Sequence, residues 1–205
     1  MTVLEEIVGR DVSRETMERL EGLIDLLRAW NPRINLVAPS TLEAAWSRHI
    51  LDSAQLFPLA PDAARWIDLG AGAGFPGLVI AALRFEYSAV EPVALVESDA
   101  RKAAFLREAA RTMGVPINIH VTRIENLHLS DFDVVSARAL APLETLLKYA
   151  APLLAPNGLA LFPKGRAAAA EVDEARRSWQ FTLDRIPSAT SGDSVILAVR
   201  DLARV

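Results

Sequence analysis

A glycine-rich loop directly after an apolar run is the feature of this sequence that most clearly indicates a ligand site. Residues 66–77 have the sequence WIDLGAGAGFPG, and glycines let a backbone approach a bound molecule closely. Residues 72–77 also fit the pattern GxGxxG, which is found in dinucleotide-binding proteins. Because a single match of this kind is weak evidence, the glycines alone predict a ligand without its identity.

Two residues of this stretch favour a cationic cofactor over a dinucleotide. Asp68 ends the apolar run and is expected to face the ligand, where a carboxylate repels a pyrophosphate and attracts a sulfonium or ammonium group. Pro76 lies inside the turn and removes a backbone donor that a pyrophosphate would use. The phosphate-binding P-loop pattern is excluded, because no Gly-Lys-Ser/Thr follows the glycines.

Two more acidic residues follow the next apolar runs along the chain. Glu97 comes twenty residues after Gly77, and an acid at such a position commonly binds ribose hydroxyls. Glu125 follows the third run, where it or the backbone beside it can bond the amine of an adenine. Each acid taken singly also fits a solvated strand end or a helix cap. The set that favours S-adenosylmethionine over NAD consists of Asp68, Gly70, Gly72, Gly74, Glu97 and Glu125.

Short apolar runs alternate with amphipathic stretches after residue 61, and these elements must position the acids and the loop. The runs 65–69, 92–97, 117–121, 132–137 and 159–163 are typical of parallel strands covered on both faces. The stretches 77–84, 100–113 and 143–154 predict the intervening helices. Residues 180–186 and 194–200 predict two further strands, an antiparallel pair at one edge. The predicted fold is an α/β protein with a doubly wound, mostly parallel seven-stranded sheet.

The first 60 residues lack this alternation and predict a helical extension. Ser13 caps a helix with apolar residues at three- and four-residue spacing, which the Asn-Pro pair at residues 31–32 is expected to end. Ser40 and Glu43 have the capping-box spacing for a second helical stretch. We therefore expect a helical extension over residues 1–60 and a cofactor-binding domain over residues 61–205.

The composition of the 205-residue chain excludes several classes of site. Without cysteine there is no disulfide, Cys-ligated metal or Cys nucleophile, and the three histidines lack metal-binding spacing, so no metal is expected. No apolar run is long enough to span a membrane, and the N-terminus resembles no signal peptide, which predicts a cytoplasmic protein. The net charge of -4 argues weakly against a general nucleic-acid coat protein but allows a local basic face.

Several segments together resemble the bacterial 16S ribosomal RNA guanine-N7 methyltransferases known as the glucose-inhibited division protein B family. They are GFPG at 74–77, NL at 35–36, RHILDS at 48–53, SDARKAAFL at 98–106, FDVVSAR at 132–138 and LFPKG at 161–165. The resemblance covers residues 13–165 and implies a class I, Rossmann-like methyltransferase fold, S-adenosylmethionine as cofactor and a guanine in the decoding region of 16S rRNA as target. By position, it places cofactor contacts on Gly70, Phe75, Ile124, Glu125 and Arg138.

The residues that the chain lacks agree with methylation at guanine N7. Methylation of pyrimidine C5 needs a Cys thiolate, and methylation of an exocyclic amine in this fold usually accompanies an Asp/Asn-Pro-Pro-aromatic run where this chain has SARA at 136–139. Guanine N7 carries a lone pair and no proton, so its methylation needs no general base. Positioning can then supply about 7–11 kcal/mol of barrier lowering.

Arg138 follows the fourth predicted strand and is the residue that we expect to position the reactants. It can bond the methionine carboxylate of the cofactor, a phosphate or guanine O6. The alternative is an ion pair with Glu125 or Glu144 that only shapes the loop.

Basic residues near the strand ends and in the RHILDS segment are expected to contact RNA. The candidates are Arg48, His49, Arg123 and Lys164. For His49 the alternative is packing on the rim of the sheet, and we expect no proton transfer by its ring. Asp52 is expected to pair with Arg48 at i,i+4 spacing.

The expected partner is 16S rRNA, in the small ribosomal subunit or an assembly intermediate, bound by a monomer. Three alternatives stay open at this point. They are a methyltransferase of the same fold that acts on a small molecule or a protein, an NAD-dependent oxidoreductase and a non-catalytic nucleotide-binding regulatory domain.

Overall fold

The computed structural model describes residues 1–87 and 91–205, which form a mixed sheet with helices on both faces. Its seven described strands are β1 (Trp66–Leu69), β2 (Val93–Val96), β3 (Ile117–His120), β4 (Phe132–Ala137), β5 (Leu154–Lys164), β6 (Trp179–Pro187) and β7 (Val195–Arg204). The spatial order is β3-β2-β1-β4-β5-β7-β6, in which the first five strands run parallel and β7 runs antiparallel to both of its neighbours. The predicted fold class is therefore confirmed.

The helices cover both faces of this sheet. They are α1 (Val3–Val8), α2 (Arg14–Ile34), α3 (Asp52–Ala54), α4 (Gly77–Tyr87), α5 (Ala100–Met113), α6 (Leu143–Ala150) and α7 (Ala168–Ala175). Short 3-10 turns lie at Pro39–Thr41, Phe57–Leu59 and Ile124–Asn126, and Trp46–Leu51 is a π-helical turn that leads into α3. Among the described residues, none of these helices combines the length and the apolar character that crossing a bilayer requires.

Alternating side chains of the central strands build two separate cores. Trp66 points to the face that α2, α4 and α5 cover, whereas Ile67 and Leu69 point to the face that α6 and α7 cover. All three side chains are fully buried. Because both faces are covered, the central strands are largely apolar, which explains the short apolar runs in the sequence.

The first long helix continues beyond the point where the sequence predicted its end. Ser13 caps it as expected, since its hydroxyl accepts from the Thr16 N–H at 3.1 Å. Pro32 lies inside the last turn, however, and the helix ends only at Asn35, which adopts φ 46°. Asn31 exchanges two side-chain hydrogen bonds with the Val37 backbone, at 3.1 and 2.9 Å. It therefore fixes where the chain goes after the helix and does not end the helix.

The capping box predicted at Ser40 and Glu43 is wrong. Pro39 begins a 3-10 turn one residue earlier, Ala38 takes the N-cap position, and no side chain caps the turn. The second helical stretch begins only at Trp46 and runs through the π-helical turn to Ala54. The division into a helical extension over residues 1–60 and a cofactor-binding domain stays a prediction. In the structure α2 shares one continuous core with α4 and α5.

Candidate active site

The glycine loop leaves the carboxyl end of β1 in a conformation that only glycine adopts easily. Gly70, Gly72 and Gly74 have φ values of 63°, 54° and 84°. A Cβ on Gly74 would lie 2.3 Å from a methyl carbon of Leu78, so this glycine is also required by core packing. A Cβ on Gly72 would make only an ordinary van der Waals contact, 3.7 Å from the Gly70 carbonyl oxygen, so packing does not exclude a side chain at this position.

Asp68 braces the loop from beneath. Its Oδ2 accepts from the Gly77 N–H at 3.1 Å, and its Oδ1 accepts from the Ser136 hydroxyl at 2.7 Å. Ser136 in turn accepts from the Trp66 indole N–H at 3.0 Å. Burial raises the pKa of Asp68 to about 7, and the residue is only 1% exposed. The structure thus corrects the expectation that this carboxylate faces the ligand. Asp68 lies on the same face of β1 as Trp66, which is the face that α2, α4 and α5 cover.

Glu97 supports the other side of the same loop. One carboxylate oxygen accepts from the Gly72 N–H at 2.9 Å, and the other accepts from the Asp99 N–H at 2.7 Å. Glu97 therefore lies at the loop, and both of its carboxylate oxygens accept from backbone N–H groups. A contact with ribose stays a prediction.

Residues 123–126 lie beyond the end of β3, two strands away from the loop. Ile124 and Glu125 form a 3-10 turn, and Glu125 accepts from the Tyr149 hydroxyl at 2.7 Å. This hydrogen bond lowers the pKa of Glu125. Since β1, β2 and β3 are neighbours, the glycine loop, Glu97 and this turn lie in a row at the carboxyl ends of these three strands. Such a row suits an extended cofactor.

A cleft of about 780 Å³ lies beside the loop, between residues 36–55, residues 138–142 and the loop that joins β6 to β7. We call residues 188–194 the β6–β7 loop. The predicted site residues that line the cleft are Arg48, His49, Gly70, Gly72, Phe75, Arg138 and Lys164. The predicted site residues outside its lining are Asp68, Gly74, Glu97, Arg123, Ile124 and Glu125. Lining residues that sequence reasoning missed include Thr41, Asp52, Gln55, Glu171, Ser188 and Thr190.

Arg138 is held by contacts from the N-terminal part of the chain. Its Nη1 donates to the Arg48 carbonyl at 3.1 Å and to Asp52 Oδ2 at 3.0 Å. Its Nη2 lies 3.2 Å from His49 Nδ1, and the guanidinium lies 5.3 Å from the centre of the Phe75 ring. Within the part of the chain that the structure describes, Nε–H and one Nη2–H have no partner, so they are available to a ligand.

The ion pair that Arg138 forms differs from the alternative considered for it, and the ion pair expected for Asp52 is wrong. Arg138 pairs with Asp52 and not with Glu125 or Glu144. Asp52 for its part pairs with Arg138 and not with Arg48, because the π-helical turn at Trp46–Leu51 replaces the α-helical i,i+4 spacing.

His49 is a neutral ring with both nitrogens in use. An arginine can only donate, so Nδ1 accepts from Arg138 and the proton lies on Nε2. Nε2 donates to the Thr41 hydroxyl at 2.9 Å, and that hydroxyl donates to the Ala38 carbonyl at 2.8 Å. Burial, with the charge of Arg138, lowers the pKa of His49 to about 4. The ring stacks on Phe75 at 4.9 Å and has no free nitrogen for proton transfer.

Lys164 shapes the chain that follows Arg138. Its ammonium donates to the Ala141 carbonyl and to Glu171, both at 2.7 Å. Glu171 also accepts from the Leu143 N–H at 2.8 Å, which fixes the start of α6. The role of Lys164 in RNA contact stays a prediction.

Comparisons with known proteins identify the family. The family model described as GidB, rRNA small subunit methyltransferase G, matches residues 16–195. The chain belongs to this family. Relatives named ribosomal RNA small subunit methyltransferase G include one from Ruegeria sp. (strain TM1040), 48% identical over 95% of both chains. Another, from Rhodospirillum centenum (strain ATCC 51521 / SW), is 52% identical over 94% of this chain and 87% of the relative. Family membership makes the chain a methyltransferase and disfavours an NAD-dependent oxidoreductase.

Solved structures agree with this fold. The O-methyltransferase from Bacillus cereus in complex with SAH has a TM-score of 0.59 at 14% identity, covering 88% of this chain and 91% of that one. The N-methyltransferase NodS from Bradyrhizobium japonicum WM9, in complex with S-adenosyl-L-homocysteine, has a TM-score of 0.55 at 16% identity, covering 73% and 85%. At such identities the likeness supports the class I methyltransferase fold and nothing finer.

Proposed function

We propose that this chain transfers the methyl group of S-adenosylmethionine to N7 of a guanine in the decoding region of 16S rRNA. The observation that carries the proposal is the family match over residues 16–195, which includes all the residues that line the cleft except Ile196. The relatives' printed names give the small-subunit rRNA as substrate. Guanine N7 as the acceptor atom rests on the resemblance of the motifs and on the chemistry of the cleft.

The residues along the strand ends fit the cofactor. Gly70 and Gly72 line the cleft, where a ligand can lie against their backbone, and Asp68 and Glu97 hold that backbone in place. The residues that we propose to hold S-adenosylmethionine directly are Gly70, Gly72, Phe75, Glu97, Ile124 and Glu125, and we propose that Arg138 lies between the cofactor and the methyl acceptor. Asp68 and Gly74 act from behind the loop. When bound, S-adenosylmethionine supplies an electrophilic methyl group on a cationic sulfur.

The chain's own groups position reactants and move no proton. Guanine N7 must keep its lone pair free for the methyl group, so Arg138 is suited to bond O6 or a phosphate through its free Nε–H and Nη2–H. His49 has no free nitrogen with which to act as a base. A cleft whose titratable side chains serve positioning matches a reaction that needs no general base.

The basic side chains at the cleft favour an RNA substrate over a small molecule. Arg48, Lys102, Arg138 and Lys164 line it, against the two acids Asp52 and Glu171, although the whole chain is acidic. We infer that the protein acts as a cytoplasmic monomer on the small subunit or an assembly intermediate, with residues 1–60 as an extension that completes the cleft. Arg123 lies outside the cleft and is proposed as an outer contact with phosphate.

The proposal is tested by methyl transfer with purified components. The protein is incubated with tritium-labelled S-adenosylmethionine and with 16S rRNA or small subunits from cells that lack this methyl group. We expect incorporation that saturates near one methyl group per rRNA, and S-adenosylhomocysteine binding by calorimetry. Binding without transfer to either RNA form would overturn the rRNA target and favour another methyl acceptor. Absence of binding would overturn the cofactor.

A further inference from the structure

Asp52 joins three separate parts of the cleft. Its Oδ2 accepts from Arg138 Nη1, and its Oδ1 accepts from Gln55 Nε2 and from the Thr190 hydroxyl, each at 3.0 Å. These partners lie after β4, in the helical segment that contains Asp52 itself, and in the β6–β7 loop. The carboxylate is largely buried, with 19% of its side chain exposed. Both of its oxygens are therefore occupied by groups that border the cleft.

Gln55 and Ser188 complete this network. Gln55 is 6% exposed, its Oε1 accepts from the Ala189 N–H at 3.0 Å, and its Nε2 donates to the Ser188 hydroxyl at 3.3 Å. The Ser188 hydroxyl also accepts from the Thr190 N–H at 3.2 Å. The β6–β7 loop is thus tied to the N-terminal part of the chain by side chains, at a place where no strand pairing holds it.

The position of this network relative to the glycine loop determines what it faces. Gly70, Gly72 and Phe75 form one side of the cleft, and the β6–β7 loop borders the same cleft. Arg138 lies between these sides, above Phe75. If the glycine loop holds the cofactor, the methyl acceptor enters from the side that the β6–β7 loop borders.

We infer that Asp52 is a positioning residue that holds Arg138 and the β6–β7 loop as one hydrogen-bonded unit and so sets the acceptor side of the cleft. The expected effect of Asp52 on methyl transfer rests on the proposed function. The coupling of Arg138 and the β6–β7 loop through Asp52 does not. Hydrogen bonds to a charged group are the stronger ones, so removal of the Asp52 charge should loosen both partners at once.

The test compares Asp52→Asn, Thr190→Val and their double variant with matched controls on the same hairpin. Asp184→Asn removes an acid that pairs with Arg200 at 3.1 Å, and Thr182→Val removes a hydroxyl that bonds Asp201 at 2.8 Å. Hydrogen exchange of peptides spanning the β6–β7 loop measures the coupling. Calorimetry with S-adenosylhomocysteine and steady-state methyl transfer to 16S rRNA measure the consequence.

We expect faster exchange in the β6–β7 loop for Asp52→Asn and Thr190→Val and unchanged exchange there for both controls. For Asp52→Asn, kcat should fall on the order of 10- to 100-fold while the affinity for S-adenosylhomocysteine stays within about twofold. The double variant should be no slower than Asp52→Asn alone, because both changes remove one shared contact. If Asp52→Asn does not fold, Thr190→Val carries the same expectation, with a fall in kcat of about tenfold.

Three results would overturn the inference: unchanged loop exchange, unchanged kcat, or single-variant effects that multiply in the double variant. If the unaltered protein transfers no methyl group to rRNA, the proposed function fails. The exchange experiment then still decides whether Asp52 holds the loop.

Discussion

Replacement of Asp68 by Asn is expected to remove a large pH dependence from the stability of the fold. The Asp68 carboxyl lies fully buried beneath the glycine loop, where Gly77 and Ser136 donate to it. Among residues 1–87 and 91–205 no cation forms an ion pair with it, and the charge of Arg138 offsets its burial only in part. Asn has the same shape, and its carbonyl can accept from Gly77. Its NH2 can donate to Ser136, whose hydroxyl has a second acceptor in the Ile67 carbonyl at 3.5 Å.

The magnitude follows from the pKa of Asp68, which burial raises from 3.8 to about 7. Each pKa unit is worth about 1.4 kcal/mol, so the ionised form is disfavoured in the folded protein by about 4 kcal/mol. Between these two pKa values the folded chain keeps a proton that the unfolded chain has lost. The stabilisation is therefore complete below pH 3.8, falls as the pH rises and is lost above pH 7.

The assay is urea unfolding of the unaltered protein and of Asp68→Asn at several values between pH 4.5 and 8. The stability of Asp68→Asn relative to the unaltered protein should rise by about 3 kcal/mol across this range. Asp184→Asn is the control for loss of one acid, and because its ion pair is exposed its effect should stay below about 1 kcal/mol. A stability difference for Asp68→Asn that does not vary with pH would refute the reasoning.

Three further predictions concern the loop and the residues around Arg138. Arg138→Ala should lower kcat/KM for methyl transfer at least about 100-fold with the fold retained, and unchanged turnover would show that Arg138 only shapes the cleft. Because the pKa of His49 is lowered to about 4, His49 should contribute no step to the pH dependence of kcat between about pH 6 and 8, and a step near pH 6.5 that His49→Gln removes would contradict its neutral role. In thermal or urea unfolding, Gly74→Ala should destabilise the fold by about 2–4 kcal/mol and Gly72→Ala by about 1 kcal/mol. Both variants strain a positive φ, but only Gly74→Ala adds a clash with Leu78. Equal losses of stability would contradict this account.

The sheet could be predicted from the sequence because its signal is local. Central parallel strands that are covered on both faces are largely apolar, and the runs that become β1, β2 and β4 have that character. The two errors in the N-terminal part arose where local signals compete with packing. Pro32 removes only one backbone hydrogen bond near the end of α2, so the helix continues past it. The next turn begins at Pro39, one residue before Ser40.

The site could be predicted only in part. The glycine loop is one contiguous segment, so its pattern is visible in the sequence. Asp52 contacts Arg138 and Thr190, from which it is separated in sequence by 86 and 138 positions, respectively. No spacing rule predicts pairs that far apart. Strand alternation places Asp68 on the same face of β1 as Trp66, but because both faces of this strand are buried the sequence does not show which of them lies away from the ligand. The sequence predicts a connection between the last two strands, with a turn at Gly192 and Asp193, but it does not predict the contacts of that loop across the cleft.

The most direct test of the proposed function is to map N7-methylguanine in 16S rRNA. The gene is expressed in cells that lack their own enzyme of this kind, and small-subunit rRNA is cleaved with borohydride and aniline, which cut at N7-methylguanine. We predict one new cleavage site in the decoding region, which is absent in cells that express Arg138→Ala. An uncleaved decoding region, in cells that contain soluble protein able to bind S-adenosylhomocysteine, would contradict the account.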